Sequence, residues 1–117
     1  MKYFVILLLI VFSSALAFSQ NAIDTVPSPL KKLQVVDAAC GQCKFGLPGK
    51  SCDLAVKING KAYFVDGTNI DSHGDAHASD GFCEAIRKAE VQGKIVNGRF
   101  VANYFRLIQA APVKNNP

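Results

Sequence analysis

The sequence lacks any long run of like charge. Apart from Lys2, its basic side chains number twelve, and they are scattered among nine acidic ones. A basic patch or stripe is the electrostatic footprint expected of a protein that binds nucleic acid. Scattered charge of both signs instead indicates an ordinary solvated surface, so nucleic acid is not an expected partner.

An apolar run long enough to span a membrane is also missing, because a spanning helix needs about 20 consecutive apolar residues. The longest run, residues 4–12, follows Lys2 and ends at a pair of serines. A secretory signal peptide has a short basic segment, an apolar core and a cleavage site made of small residues. The first twenty residues follow this pattern, with cleavage predicted near residues 17–20. No cysteine follows at the cleavage site, so a lipoprotein anchor is not indicated. We therefore predict an exported protein, periplasmic or extracellular, with no transmembrane span in the mature chain. An uncleaved N-terminal anchor is the alternative.

Removal of the signal peptide, residues 1–20, leaves about a hundred residues, which suffice for one small domain. Residues 21–32 carry two prolines and little apolar content, as a linker does. Residues 33–109 are predicted to form the domain, and residues 110–117 a flexible polar tail. No internal repeat is present, and we expect a monomer.

Two motifs that would define a ligand are incomplete. Residues 46–51 read Gly-Leu-Pro-Gly-Lys-Ser, but Lys44 stands where a phosphate-binding loop requires its first glycine. The acidic residues around residues 71–80 do not follow the spacing of a calcium-binding EF-hand loop. Neither a nucleotide nor calcium is therefore indicated.

Five segments have the β-branched or alternating apolar pattern of strands: residues 33–38, 52–58, 61–66, 89–96 and 99–108. The pairs Asn59-Gly60 and Asn97-Gly98 predict type I′ hairpin turns, because both central residues of that turn need a positive φ. Gly93 predicts a bulge in the fourth strand.

Between the third and fourth strands the sequence predicts a polar loop and then one brief helix, residues 82–88. Asp80 can cap this helix, and Glu84 and Arg87 have the charges that its two ends favour. This element order matches a mainly β (α+β) fold, a small five-stranded, OB-like, partly open barrel with one short helix between strands three and four. An open α+β sandwich is the alternative.

The polar loop, residues 66–83, contains both histidines of the chain and has no apolar periodicity. Such ligand-rich loops on a rigid scaffold often carry function. His73 and His77, with Asp71 or Asp75, could bind Zn²⁺ or Cu²⁺. The spacing of the histidines suits one helix face, but the surrounding Gly, Asp and Ser residues favour a loop.

The four cysteines permit three disulfide pairings. Two disulfides are the first interpretation, because small exported domains need cross-links to supplement a small core and because the exported compartment is oxidising. A bridge between Cys40 and Cys43 would constrain the unfolded chain by only about 2 kcal/mol, whereas one between Cys52 and Cys83 would give roughly 3.5–4 kcal/mol. Stability therefore favours pairing across the chain rather than within the Cys-x-x-Cys pair.

Metal binding is the second interpretation of the same residues. Cys40 and Cys43 can offer two thiolates to one ion. Cys52 lies at the start of the second predicted strand and Cys83 at the start of the predicted helix, so all four could converge at one end of the barrel. A four-cysteine zinc site contributes about 10–16 kcal/mol of apparent binding energy in peptides. We expect Cys83 to lie close to Cys52 or to the Cys40/Cys43 pair.

Redox chemistry is the third interpretation, because Cys40-Gly-Gln-Cys43 resembles a thioredoxin-type motif. The glycines and proline that follow do not favour the helix that this chemistry uses, and the βαβ pattern around such motifs is missing.

Four stretches carry a resemblance to a known family: CGQCKFGLPGKSCDLAV, GKAYFVDG, DSHGDAHASDGFC and IRKAEVQGKIVNGRF. Over residues 40–107 the chain resembles a family of small exported bacterial proteins that carry a domain of unknown function. The resemblance implies export and one compact domain, and it implies no activity, substrate or catalytic residue.

The sequence thus favours a non-enzymatic exported binding domain whose site is the Cys/His/Asp cluster, holding either a metal ion or a disulfide framework. An enzyme is the first alternative, either a thiol-disulfide oxidoreductase acting through Cys40 and Cys43 or a metal-assisted hydrolase using His73 and His77. A structural envelope or interaction module is the second alternative.

Overall fold

A computed structural model describes Ile23 and residues 26–109 of the chain. The predicted signal peptide and tail lie outside these residues. The elements are, in order, β1 (Gln34–Cys40), α1 (Gly41–Lys44), β2 (Leu54–Ile58), β3 (Lys61–Asp66), β4 (Arg87–Val96) and β5 (Arg99–Leu107). The described residues contain no helix with the length and apolar character that a membrane crossing requires.

The five strands form a closed barrel in the order β1-β2-β3-β5-β4. The barrel closes where β4 pairs antiparallel with β1. Its narrowest seam is the parallel pairing of β3 with β5, which joins only Val65 to Phe100 and Asp66 to Val101. The predicted mainly β, five-stranded, OB-like barrel is confirmed, and the barrel is closed rather than partly open.

Both hairpins have the predicted turn geometry. The φ angles are 50° at Asn59 and 82° at Gly60, and 52° at Asn97 and 75° at Gly98. Positive φ at both central residues defines the type I′ turn, whose twist matches that of the strands it joins. The predicted bulge is also present, since the β4–β5 register shifts between Gln92 and Gly93.

The prediction of a helix over residues 82–88 is wrong. The chain makes a single turn there, in which the Ala85 N–H donates to the Gly81 carbonyl at 2.8 Å, and it enters β4 at Arg87. The end of the predicted helix is part of a strand instead. Arg87 and the two residues after it pair with β1, and this pairing closes the barrel. Ile86, in the middle of the predicted helix, is 50% exposed.

The only helix among the described residues is α1, which lies between β1 and β2, where the sequence predicted neither a strand nor a helix. It contains just four residues, Gly41–Lys44. Cys40 is its N-cap, and the Cys40 sulfur accepts a hydrogen bond from the Cys43 N–H. The glycines and proline beyond it prevent a longer helix, which agrees with the predicted effect of those residues.

The barrel core includes side chains from the long β3–β4 connection as well as from the strands. Ile70, Ala76 and Phe82 of that connection are buried in the same cluster as the strand residues. The connection is therefore packed onto the barrel despite its polar composition. Phe82 is 2% exposed, so it fixes the position of the neighbouring Cys83.

Part of the predicted linker lies on the barrel through Gln92, a polar side chain on β4 that is only 2% exposed. Its Oε1 accepts from the Ser28 N–H at 2.8 Å. Its Nε2 donates to the carbonyls of Ser28 at 2.8 Å and of Lys31 at 3.0 Å. Ile23 also packs against the core. The division into linker and domain stays a prediction.

We expect Gln92→Leu to lower the free energy of unfolding by about 2–4 kcal/mol, because it keeps the side-chain size but leaves three backbone groups without their partner. Urea unfolding measures the loss, and amide hydrogen exchange should show that Ser28 loses protection. Lys94→Leu, at an exposed position of the same strand, should change stability by less than about 0.5 kcal/mol. Equal stability of the two variants would refute the role assigned to Gln92.

Candidate metal centre

The four cysteines meet at one end of the barrel. Cys40 ends β1, and its cross-strand partner Leu54 begins β2 just after Cys52. Cys83 comes just before β4, whose first residue, Arg87, pairs near the same end of β1. All four sulfur atoms lie within 4.8 Å of one another. The expectation that Cys83 lies close to the other cysteines is confirmed.

Backbone hydrogen bonds hold the three cysteine-bearing segments in place. The Cys40 N–H donates to the Phe82 carbonyl at 2.9 Å, which ties β1 to the segment of Cys83. The Gly41 N–H donates to the Asp53 carbonyl at 2.8 Å, which ties α1 to the segment of Cys52. The cluster is therefore built by the fold rather than by the side chains alone.

Gln42 adds a side-chain clamp between two of these segments. Its Nε2 donates to Asp53 Oδ2 at 2.7 Å, and its Oε1 accepts from the Asp53 N–H at 2.9 Å. The Cys40 thiol also lies 3.6 Å from Gln42 Oε1. Sequence reasoning missed Gln42, and the available signal was its place inside the Cys-x-x-Cys pair.

Gly41 lets α1 pack closely on the barrel. A Cβ at this position would lie 2.8 Å from Phe64 Cε1, 2.9 Å from Leu47 Cδ1 and 3.0 Å from Ala55 Cβ. Contacts this short would force the helix away from β2 and β3. The glycine is needed here for space, because its φ does not lie in the left-handed region.

The cluster favours a thiolate at Cys40. Burial opposes ionisation of this fully buried thiol. Hydrogen bonds from the Cys52 thiol, from the Cys43 N–H and thiol and from the Gln42 backbone N–H outweigh burial, so the pKa of Cys40 is lowered. The pKa of Cys52 is raised, first by burial and then by its hydrogen bonds to Cys40 and Cys83. The pKa of Cys43 is raised by its hydrogen bond to Cys40 and by burial. Of the cysteines with a shifted pKa, Cys40 is therefore the one whose surroundings favour ionisation.

A single tetrahedral ion fits this set of ligands. A Zn–S distance of about 2.3 Å places the sulfurs of a tetrahedral site about 3.8 Å apart. The observed upper limit of 4.8 Å allows that arrangement with small movements. The sulfurs of Cys40 and Cys52, which are 2.7 Å apart, would have to separate by about 1 Å to become ligands.

The disulfide framework that was the first interpretation is not found. All four cysteines are free. Two disulfides would need only two separate pairs of sulfurs, each pair bonded at about 2.05 Å. The convergence of all four sulfurs on one point is a different arrangement.

The histidines and aspartates proposed as ligands lie outside the cysteine cluster. In the described part of the chain, the cysteines are the group of potential ligand residues whose atoms converge. Asp71, Asp75 and His77 are exposed. The Asp75 carboxylate accepts from the His77 N–H at 2.9 Å, which stabilises the loop. A metal site at these residues stays a prediction.

His73 is packed against the barrel. Its ring centroid lies 4.6 Å from that of Phe105 and 6.1 Å from that of Phe82. Its Nε2 and Thr68 Oγ1 share a hydrogen bond of 2.8 Å. Burial lowers the pKa of His73, which favours the neutral ring. These contacts give the residue a packing role in the loop.

The fold and the site together define the class: a small, closed, OB-like barrel with a four-cysteine cluster at one end. The chain belongs to a family of unknown function, DUF6370, whose profile matches residues 34–108. The matched range includes all five strands and all four cysteines. The resemblance to a domain of unknown function is thereby confirmed. No curated protein and no solved structure shows significant similarity to the chain.

Proposed function

We propose that this protein is an exported binding domain that holds one Zn²⁺ ion in a four-cysteine site. The observation that carries the proposal is the convergence of four sulfurs within 4.8 Å of one another. Thiolate ligands in a tetrahedral arrangement select Zn²⁺ or iron among the common metals. Zn²⁺ needs no redox partner, and four thiolates satisfy it completely.

A structural role for the ion follows from the number of ligands. Catalytic zinc sites keep one position open for water or substrate, whereas sites with four protein ligands are closed. Four cysteines leave no open position, which supports a non-enzymatic domain. The ion would join the end of β1 to the β3–β4 connection, since Cys40 belongs to the first and Cys83 to the second.

Thiol–disulfide exchange is the second candidate function. The observation that favours it is the lowered pKa of Cys40, which is also the N-cap of α1. A helix terminus lowers a cysteine pKa in redox enzymes. In this chain the helix has only four residues, and the Cys40 thiol is fully buried. Burial restricts the access that exchange with a substrate disulfide requires.

Native mass spectrometry and elemental analysis of the purified protein test the proposal. We expect one zinc per chain and four alkylatable thiols after denaturation with a chelator. Cys52→Ser should lose the ion, whereas His77→Ala should retain it. A mass lower than that of the fully reduced chain by four hydrogen atoms, with no metal bound, would indicate two disulfides and refute the zinc site. Loss of zinc in His77→Ala with retention in Cys52→Ser would move the site to the histidines. Reduction of insulin disulfides by the protein would support the second candidate.

A further inference from the structure

One pair of sulfurs in the cluster is much closer together than the 4.8 Å that bounds all the sulfur–sulfur distances of the site. The thiol of Cys52 lies 2.7 Å from the sulfur of Cys40. Cys52 is partly exposed, whereas Cys40 is fully buried. An oxidant that reaches Cys52 therefore creates an electrophilic sulfur directly beside Cys40.

We propose that oxidation joins Cys40 to Cys52 and releases the metal ion, so that the site is a redox-controlled metal site. This inference rests on the proposed zinc site. A Cys40–Cys52 disulfide removes two of the four ligands. The remaining thiols of Cys43 and Cys83 cannot complete a tetrahedral site, so the ion passes to solvent.

Hydrogen peroxide represents the class of oxidant. The Cys52 thiol loses its proton to solvent, the resulting thiolate attacks one peroxide oxygen, the O–O bond breaks, and Cys52 becomes a sulfenic acid while hydroxide leaves. The Cys40 thiolate then attacks the Cys52 sulfur, the S–S bond forms, and a second hydroxide leaves. Two protons from solvent convert both hydroxides to water. Two thiolates have been oxidised by two electrons, and one peroxide has been reduced to two waters.

The structure also explains why this pair stays together when the ion leaves. Gln42 and Asp53 share two hydrogen bonds, of 2.7 and 2.9 Å, which join the residue after Gly41 to the residue after Cys52. The Gly41 N–H adds a third bond to the Asp53 carbonyl. These bonds involve no sulfur, so they persist in the metal-free protein and keep Cys40 beside Cys52.

Peroxide titration of the zinc-loaded full-length protein tests the proposal. A colorimetric zinc indicator follows release, and mass spectrometry of a non-reducing tryptic digest locates the cross-link. We expect one zinc released for every two thiols lost and a cross-link between residues 33–44 and 51–57, assigned by fragmentation to Cys40 and Cys52. Dithiothreitol should restore zinc binding. A Cys40–Cys43 or Cys43–Cys83 cross-link, or release accompanied only by sulfinic acid, would overturn the proposal.

The same titration of the reduced, metal-free protein separates this inference from the zinc site itself. A Cys40–Cys52 cross-link is expected there too. If the protein takes up no zinc at the loading step, the zinc site and the release both fail, and the metal-free sample still reports which cysteines pair. Gln42→Ala should lower the yield of the Cys40–Cys52 cross-link at least twofold, whereas Lys50→Ala, an exposed neighbour, should leave it unchanged. An unchanged yield in Gln42→Ala would refute the clamp.

Discussion

Removal of the proposed zinc ion by a strong chelator should lower the melting temperature of the protein by roughly 15–30 °C. An ion present at a thousand times its dissociation constant stabilises the folded state by about 4 kcal/mol. In a domain of this size, each kcal/mol shifts the melting temperature by about 4–8 °C. The effect is large because the site joins β1 to the connection that carries Cys83, a connection with three core side chains and no strand.

Calorimetry with and without the chelator measures this shift, and Cys40→Ala provides the control. The variant lacks one ligand and should melt at a low temperature that the chelator does not change. The barrel itself should persist in both metal-free samples, because its strands form their own core, and the far-ultraviolet circular dichroism should therefore be retained at 25 °C. A melting temperature that is unchanged after confirmed loss of the ion would contradict a structural role.

Gly81→Ala should cost about 2–4 kcal/mol of stability and weaken zinc binding by about 10- to 100-fold. A Cβ at Gly81 would overlap the carbonyl oxygens of Asp75 and Ala76. The Ala76 carbonyl already accepts the Cys83 N–H at 2.9 Å, and the Gly81 carbonyl accepts the Ala85 N–H at 2.8 Å. The backbone therefore cannot make room for a methyl group without displacing Cys83.

Urea unfolding and competition with a zinc chelator measure the two effects of Gly81→Ala. Ser79→Ala introduces the same side chain at an exposed position of the same loop, and it should alter stability by less than about 0.5 kcal/mol. If the two variants behave alike, the turn around Gly81 does not position Cys83. If stability falls but zinc affinity does not, Gly81 supports the loop without supporting the site.

The strands and hairpins were predictable because their signals are local. Asn59-Gly60 and Asn97-Gly98 specify turns that only residues tolerant of positive φ can adopt. The convergence of the cysteines was predictable as well, because the positions of Cys40, Cys52 and Cys83 relative to the strands, together with the strand order of a barrel, place them at one end.

The features that sequence reasoning missed depend on partners far away in the chain. Gln92 can be buried because backbone groups of Ser28 and Lys31 form hydrogen bonds with its side-chain amide. The sequence of β4 contains no signal that predicts these hydrogen bonds. Asp80 and Glu84 favour a helix locally, but the pairing of β4 with β1 extends the strand back to Arg87. Local propensity was overridden by barrel closure in this segment.

The pairing that closes the barrel also determines how the chain must fold. Gln34 pairs with Val91 and Ala38 with Arg87, so β1 must meet a strand that follows three other elements in the chain. Contacts of such long sequence separation make folding slow, because the entropy of closing the loop is lost before the contacts form. Cys40 and Cys83 lie at the two ends of that loop. In the proposed metal-bound protein, an ion bound by both residues before the barrel forms would hold the ends of this loop together. It would thereby lower the entropy that is lost when β1 pairs with β4.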